Sequence, residues 1–337
     1  MAPLPTPGSL ESPAPMIKAT AIPARAATNP VMGRAEWFLL ALLSVLWGGS
    51  FFFVGVIVRE LPPFTLVLIR GTLAALALIA VVLSSGATLP RSPALWGAFL
   101  VMAVVNSLIP YSLIAWGQQH IDSGLASILI SSTPLFSVVL AHLLTREEHL
   151  TASRIGGVVV GLTGVIVLIG PSALRGLDRP GLGQLAVLGA AVSYACAGIY
   201  GRRFKDLPPV VAAAGQLGCT VLLVAPLALL LERPWTARPS PSACAALVGL
   251  GLLSTALGYF IFCRILAVAG ATNVMLVNFL NPVSALLLGM LVLQERPPGI
   301  VFAGMAGIFA GLVMIDGRLL RRARPAPAPT RPASSVD

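Results

Sequence analysis

Charge is what this 337-residue sequence has least of. Asp, Glu, Lys and Arg make up 10% of it while 57% is hydrophobic, against about 25% charged residues in a soluble globular chain. With a mean hydropathy of +0.91, there is too little polar surface to cover a soluble fold of this size, and a polytopic membrane protein becomes the default class. Cysteine and histidine are also sparse. Cys196, Cys219, Cys244 and Cys263 lie in or beside apolar runs, with no CxxC pair and no histidine at ligand spacing. They read as small buried side chains, so neither a disulfide framework nor a metal site is expected. His120, His142 and His149 fall toward the ends of hydrophobic runs, there is no HExxH, and no acid lies deep within a run. A membrane-embedded enzyme would need such reactive groups to converge in the bilayer, so no catalytic residue and no cofactor is expected. Residues 1–34 are rich in Pro and Ala, carry Lys18, Arg25 and Arg34, and hold no apolar core ahead of a cleavage site. No signal peptide is expected there, and the first hydrophobic run would itself direct insertion.

What is present is a series of apolar runs. Crossing about 30 Å of hydrocarbon takes roughly 20 helical residues. Ten candidates meet or approach that length, near 37–58, 64–83, 95–117, 123–145, 155–170, 181–201, 209–231, 243–265, 271–293 and 299–316. Pro, Gly and charged clusters separate them, among them Leu61-Pro62-Pro63 and Arg146-Glu147-Glu148-His149. The expected fold class is therefore all-α integral membrane. Placing the N-terminus in the cytoplasm puts fifteen Lys and Arg in inside segments and six in outside ones, with Arg70 inside the membrane, which accounts for all 22. The positive-inside rule then predicts that both termini are cytoplasmic. The +10 net charge becomes a topology signal rather than a nucleic-acid surface. Residues 318–337, basic and alternating in Pro and Ala, have no apolar face to bury and are expected to be a disordered tail.

The runs repeat. Arg59-Glu60-Leu61-Pro62-Pro63 returns 146 residues later as Lys205-Asp206-Leu207-Pro208-Pro209, and at an offset of 148 Tyr111 meets Tyr259, Pro134 meets Pro282, Glu147 meets Glu295 and Gly156 meets Gly304. Such matches in Pro, Glu and Tyr point to duplication of a five-span unit. Because five is odd, the second unit enters the membrane in the opposite sense. Inverted repeats of this kind recur in secondary transporters, where two similar halves expose a midplane site alternately to each side. The expected organisation is a first repeat at 35–171 and a second at 180–317.

Several motifs carry a family resemblance over about residues 35–317. They are Trp47-Gly48-Gly49-Ser50, Pro63 followed by Arg70 and Ala74-Ala75, Ala115-Trp116-Gly117 leading to Ser123-Gly124-Leu125-Ala126-Ser127, then Pro134, Glu147 and Gly156-Gly157. Tyr259, Asn281-Pro282, Glu295, Gly304 and Gly307 follow in the second half. In this order they resemble the drug/metabolite transporter superfamily and, within it, the EamA-like ten-span transporters. The resemblance implies an exporter or facilitator of small metabolites, amino acids or amphipathic toxic compounds in the cytoplasmic membrane. Multidrug efflux and an uptake permease are alternatives within that superfamily. A non-transporting sensor or a membrane-embedded enzyme is the alternative from another class. A small-molecule substrate and the lipid bilayer are the expected partners, with no nucleic acid and with a monomer or homodimer as the assembly.

The candidate substrate-binding residues follow from depth. Arg70, in the second run, is the one charge well inside a span. Buried ionisable groups face a partner or a solvated path, so it reads either as an anion contact or as a residue satisfied by backbone carbonyls at broken helix ends. Its counterpart in the second repeat is Gln216, so the halves are expected to contribute unequally. Pro134 and Pro282 each remove a helix hydrogen bond near the middle of the fourth and ninth runs. Beside them lie Ser131, Ser132 and Thr133 in one half and Asn278 and Asn281 in the other. A kink satisfied by local hydroxyls suffices for the first set, whereas the two Asn share a helix face and are expected to meet a cavity. Trp47, Tyr111, Tyr194 and Tyr259 combine a stacking face with a polar tip, and Asn106 and Gln216 add amides at similar depth. Interhelical packing is the plainer reading for any one of these. Gly157 with Gly161, and Gly307 with Gly311, permit close helix approach within the chain or in a dimer. Glu147 and Glu295 read as caps or topology markers. Whether transport is proton-coupled or facilitated stays open, because Arg70 does not titrate near neutrality.

Overall fold

A computed structural model describes residues 32–144, 151–170 and 178–316, with 271 and 272 described by backbone only. The expected N-terminal tail, apart from residues 32–34, the whole expected C-terminal tail and Glu147 lie outside the described residues. Ten helices follow one another: α1 (Arg34–Ile57), α2 (Pro63–Ser84), α3 (Pro93–Gly117), α4 (Ser123–Leu144), α5 (Ala152–Ile169), α6 (Arg179–Phe204), α7 (Pro209–Glu232), α8 (Pro241–Ala269), α9 (Val277–Val292) and α10 (Gly299–Asp316). No strand occurs among the described residues. All but α9 are long and apolar enough to cross a bilayer. At 16 residues, α9 spans about 24 Å, and the short turn Ala271–Val274 ahead of it makes up the length. The protein is an all-helical membrane protein of ten helices in two five-helix repeats.

Proline sets where many of these helices begin. Pro63, Pro93, Pro209 and Pro241 open α2, α3, α7 and α8 after a preceding residue of extended or near-extended backbone. The missing N–H costs nothing at that position, and the fixed φ already suits a helix. The four occur as repeat-related pairs, Pro63 with Pro209 and Pro93 with Pro241, so duplicated sequence becomes duplicated helix starts. Two more departures are shared. A π-helical segment interrupts α3 at Val104–Leu108 and α8 at Gly249–Leu257, and the offset of 148 carries the first into the second.

Packing follows a twofold pattern. Across the pseudo-axis α2 meets α7 and α5 meets α10, while α1 packs on α9 of the other repeat as α6 packs on α4, and α8 on α1 as α3 on α6. Within hydrocarbon there is no hydrophobic drive between helices, so close approach and hydrogen bonds must hold them. Glycine supplies the approach between α5 and α10. A Cβ on Gly164 would stand 2.6 Å from the Ile308 amide nitrogen, and one on Gly157 would stand 2.7 Å from the Gly311 carbonyl. A Cβ on Gly161 would run into the Leu135 side chain, and one on Gly307 would come within 2.8 Å of the Gly164 Cα. The two GxxxG faces are thus covered inside the chain. Large apolar residues such as Phe38, Leu83, Ile166, Leu230 and Leu291 are exposed on the outer faces, as lipid contact requires.

Candidate functional site

The first three helices of each repeat converge on one polar cluster. Arg70, in the first half of α2, is 9% exposed. Its Nε donates to Thr255 Oγ1 at 2.9 Å, and its guanidinium carbon lies 3.7 Å from the centre of the Tyr111 ring. No carboxylate of the described residues pairs with it. Acids within the described residues stand at helix ends or in connections. Cation–π attraction is worth about 2 kcal/mol or more when desolvated, which holds the charge in place without neutralising it.

The π-helical segments make this geometry. Thr255 Oγ1 also donates to the carbonyl of Leu250, five residues back, at 2.7 Å, so widening of the helix turns the hydroxyl toward α2 while satisfying a displaced carbonyl. At the π-helical segment of the first repeat, Ser193 reaches across from α6 and donates to the Val105 carbonyl at 2.6 Å. From that segment Asn106 Nδ2 donates to the Tyr259 hydroxyl at 2.9 Å. Gln216 Nε2 of α7 donates to the same oxygen at 3.0 Å. The repeat is visible in the chemistry: the α2 residue Arg70 lies on Tyr111 of α3, and its counterpart Gln216 in α7 binds Tyr259 of α8. Tyr194 and Tyr259 both pack against the buried cluster that contains Tyr111. Trp47 of α1 closes one side, edge-on to Tyr259 with ring centres 6.5 Å apart and stacked on Phe262 at 5.4 Å.

Arg70, Asn106, Tyr111, Tyr194, Gln216 and Tyr259 therefore come together, with Trp47 at the edge. The remaining candidates do not join them. Ser131, Ser132 and Thr133 sit at a break in α4, where their hydroxyls donate to the carbonyls of Ser127, Leu129 and Ile130 at 3.0, 2.5 and 2.6 Å. Ile130 is the carbonyl that Pro134 leaves free, so local hydroxyls account for this half. The second half differs: helix α9 continues through Pro282, and its break falls at Met275–Leu276. Asn278 Nδ2 points to Met275 Sδ at 3.7 Å. Asn281 Oδ1 is buried without a partner among the described residues, beside the crossing of α9 over α1, where a Cβ on Gly48 would come within 2.7 Å of the Asn281 carbonyl. Among the described residues, neither Asn hydrogen-bonds to the Arg70 cluster.

Two features had no clear sequence signal. Thr255 holds Arg70, and only its position one helical turn before Tyr259 marked it. Carboxylates of one repeat also cap helices of the other. Glu295 accepts from Ser123 N and Oγ at 2.9 and 2.5 Å and from Gly124 N at 3.1 Å at the start of α4. Glu232 accepts from Phe64 N and Thr65 N at 3.0 and 2.6 Å, and from Thr65 Oγ1 at 2.9 Å, at the start of α2. Glu60 accepts from Ser240 N and Oγ at 2.6 and 2.7 Å at the start of α8, and these bonds hold its carboxyl below the usual range. Glu295 is thus a cap, but of a helix in the opposite half.

The sequence model of the EamA-like transporter family matches residues 35–170 and again 181–316. A protein of Streptantibioticus cattleyicolor named "Probable terminal-alkyne amino-acid exporter" is 30% identical, the match covering 89% of this chain and 99% of that one. The "Probable amino-acid metabolite efflux pump" of Escherichia coli K12 is 27% identical over 83% of this chain and 94% of its own. An uncharacterised transporter of Bacillus subtilis is 26% identical, covering 84% and 98%. A solved crystal structure superposes with a TM-score of 0.62 at 22% identity, over 87% of this chain and all of its own.

Proposed function

The chain belongs to the EamA-like transporter family, and on that premise we propose that it exports small carboxylate-bearing metabolites, amino acids or close relatives, by alternating access to the Arg70 cluster. The observation that carries this reading is the buried guanidinium, bonded to Thr255 and resting on Tyr111, with no carboxylate of the described residues beside it. A substrate carboxylate would supply the missing charge. The aromatic wall of Trp47, Tyr111, Tyr194 and Tyr259 would take an apolar side chain, and Asn106 and Gln216 would exchange their bonds to Tyr259 for bonds to the ligand. Names of the relatives in Streptantibioticus and Escherichia coli point to the same substrate class. In this reading the repeats at 35–171 and 180–317 are the two moving units, of a monomer or homodimer, and the basic segments mark a cytoplasmic location for both termini.

The test is efflux from proteoliposomes loaded with a panel of amino acids, keto acids and non-ionic analogues, for the wild type and Arg70→Gln. A hydrogen bond to a charged group contributes about 1.5–3 kcal/mol, so Arg70→Gln is expected to slow carboxylate efflux by roughly 10- to 150-fold at unchanged abundance in the membrane. Efflux at the wild-type rate would remove Arg70 from the site, and no efflux of any panel member would overturn the export reading. Repeating the wild-type measurement across a pH gradient separates proton exchange from facilitated export.

A further inference from the structure

The odd-numbered helices end on one membrane face, and there the repeats are fastened by carboxylates on helix N-termini. Glu60, Glu232 and Glu295 each reach across to the other repeat. Opening this face must separate the repeats and undo such contacts. Beside Glu295 lies a cavity of about 310 Å³, lined by Gly55, Val58, Arg59, Gln118, Asp122 and Glu295 among others. Gln118 is 7% exposed, lines this cavity, and has no hydrogen-bond partner among the described residues for either its Oε1 or its Nε2. A buried amide with both ends idle costs free energy unless something in the cavity bonds to it.

Asp122 occupies the N-cap position of α4 with extended backbone, φ −65° and ψ 152°, yet its side chain makes no cap bond. Asp is among the best N-cap residues and receives the amide of the second or third helical residue; of these two, that of Gly124 is already held by Glu295 from the other repeat. Two carboxylates therefore contest one helix end. We propose that the cavity is a proton-binding site with Asp122 as its base, and that this proton decides whether Glu295 or Asp122 caps α4 and so whether this face stays shut.

With the face shut, Asp122 is displaced into the cavity mouth. Although the residue as a whole is exposed, partial burial of its carboxylate raises its pKa above the ordinary value, and the neighbouring Glu295 carboxylate pushes the same way. On taking up a proton, Asp122 would turn to the Gln118 amide, which has no hydrogen-bond partner among the described residues. When Glu295 withdraws, Asp122 caps α4 as an anion, stabilised by the helix N-terminus. The sign follows. Because the pKa is raised in the shut state, that state is favoured in acid and loses ground as pH rises through the raised value, a window beginning near the ordinary carboxylate value of about 3.9 and extending upward. The proton enters and leaves on the same face, so it regulates the gate without driving transport. Other charges around the cavity are consistent with this assignment. Arg59 lines it from the end of α1, while Glu60 turns away to Ser240. The His120 ring bonds the Trp116 carbonyl, Asp178 caps its own helix at Gly181, and Arg179 and Arg296 are exposed.

The experiment needs no substrate, so it stands apart from the export reading. The full chain, with its four cysteines replaced, carries spin labels at His120→Cys and Arg238→Cys, one in each repeat on this face, and is reconstituted in lipid. Interspin distances are measured by pulsed dipolar spectroscopy between pH 4.5 and 8. The separated population is expected to rise relative to the close one as pH rises, by no more than about tenfold per pH unit for a single proton. Asp122→Asn, nearly isosteric, should flatten the profile. Glu295→Ala should give the separated population at every pH, and Asp178→Asn, a cap outside the cavity, should keep the parental response. An unchanged profile in Asp122→Asn, or a parent whose distances ignore pH, overturns the proposal.

Discussion

Gly258→Ala tests the geometry around the central cluster with a single methyl group. A Cβ built on Gly258 lies 2.6 Å from Trp47 Nε1 and 3.0 Å from its Cδ1. Ordinary carbon contacts begin near 3.5 Å, so the indole must retreat by roughly 1 Å. It has little freedom to do so, being stacked on Phe262 and edge-on to Tyr259. Overpacking of this size costs about 1–3 kcal/mol, and a Trp47 driven out of its stack forfeits about 0.5–1.5 kcal/mol more. The expected result is destabilisation of about 2 kcal/mol in thermal unfolding followed by circular dichroism in lipid nanodiscs, with a shift in tryptophan emission. The decisive measurement is the double variant. Trp47→Phe removes the indole atoms that the new methyl strikes, so in the Gly258→Ala background it should recover more than about 1 kcal/mol relative to its effect alone, a coupling readable by a double-mutant cycle. If Gly258→Ala lies within about 0.5 kcal/mol of wild type, or the two changes are additive, the proposed contact between α8 and α1 is refuted.

Tyr259→Phe removes the oxygen that accepts from both Asn106 and Gln216. Leaving buried donors idle costs about 1–3 kcal/mol each, so unfolding should occur at lower temperature and efflux should fall more than for Tyr200→Phe. Gly307→Leu forces α5 and α10 apart, since even a Cβ there meets the Gly164 Cα at 2.8 Å. The variant should fail to accumulate as a folded protein, whereas Gly86→Ala, with nothing within 4 Å of the added Cβ, should lose only about 1 kcal/mol through its positive φ; size-exclusion profiles separate the two. Glu232→Ala strips the cap from α2, which has no side-chain cap of its own, and should cost about 0.5–2 kcal/mol. Faster hydrogen exchange confined to the first turn of α2 would confirm it, and unchanged exchange at Phe64 and Thr65 would refute it.

The parts of the fold that were legible in the sequence are those set by local chemistry. Long apolar runs between Pro and charged punctuation become helices because hydrocarbon requires every backbone group to be bonded within its own segment. The pairs Pro63/Pro209 and Pro93/Pro241 mark helix starts through a constraint on φ that needs no neighbour. Arg70 stood out because a lone charge in a 22-residue apolar helix is costly wherever it lies. Tyr111 and Tyr259 were recoverable from register alone.

Tertiary structure decided which polar residues meet. Asn278 and Asn281 share a face by periodicity, yet Asn281 lies where α9 crosses α1 at Gly48 while Asn278 turns to Met275, because crossing geometry and not spacing chooses a helix's neighbour. Thr255 reaches Arg70 only because a π-helical segment widens α8, a departure from regular 3.6-residue periodicity that no hydrophobic pattern reveals. Glu295 was readable as a cap but not as the cap of α4, 172 residues away in the chain. The sequence by itself determined the number of helices, their repeat and the one charge they bury, since each follows from the free energy of a segment in lipid. Which carboxylate closes which helix end, and which amides share Tyr259, were decided by the docking of one repeat on the other, where hydrogen bonds depend on distances that exist only once the halves are packed.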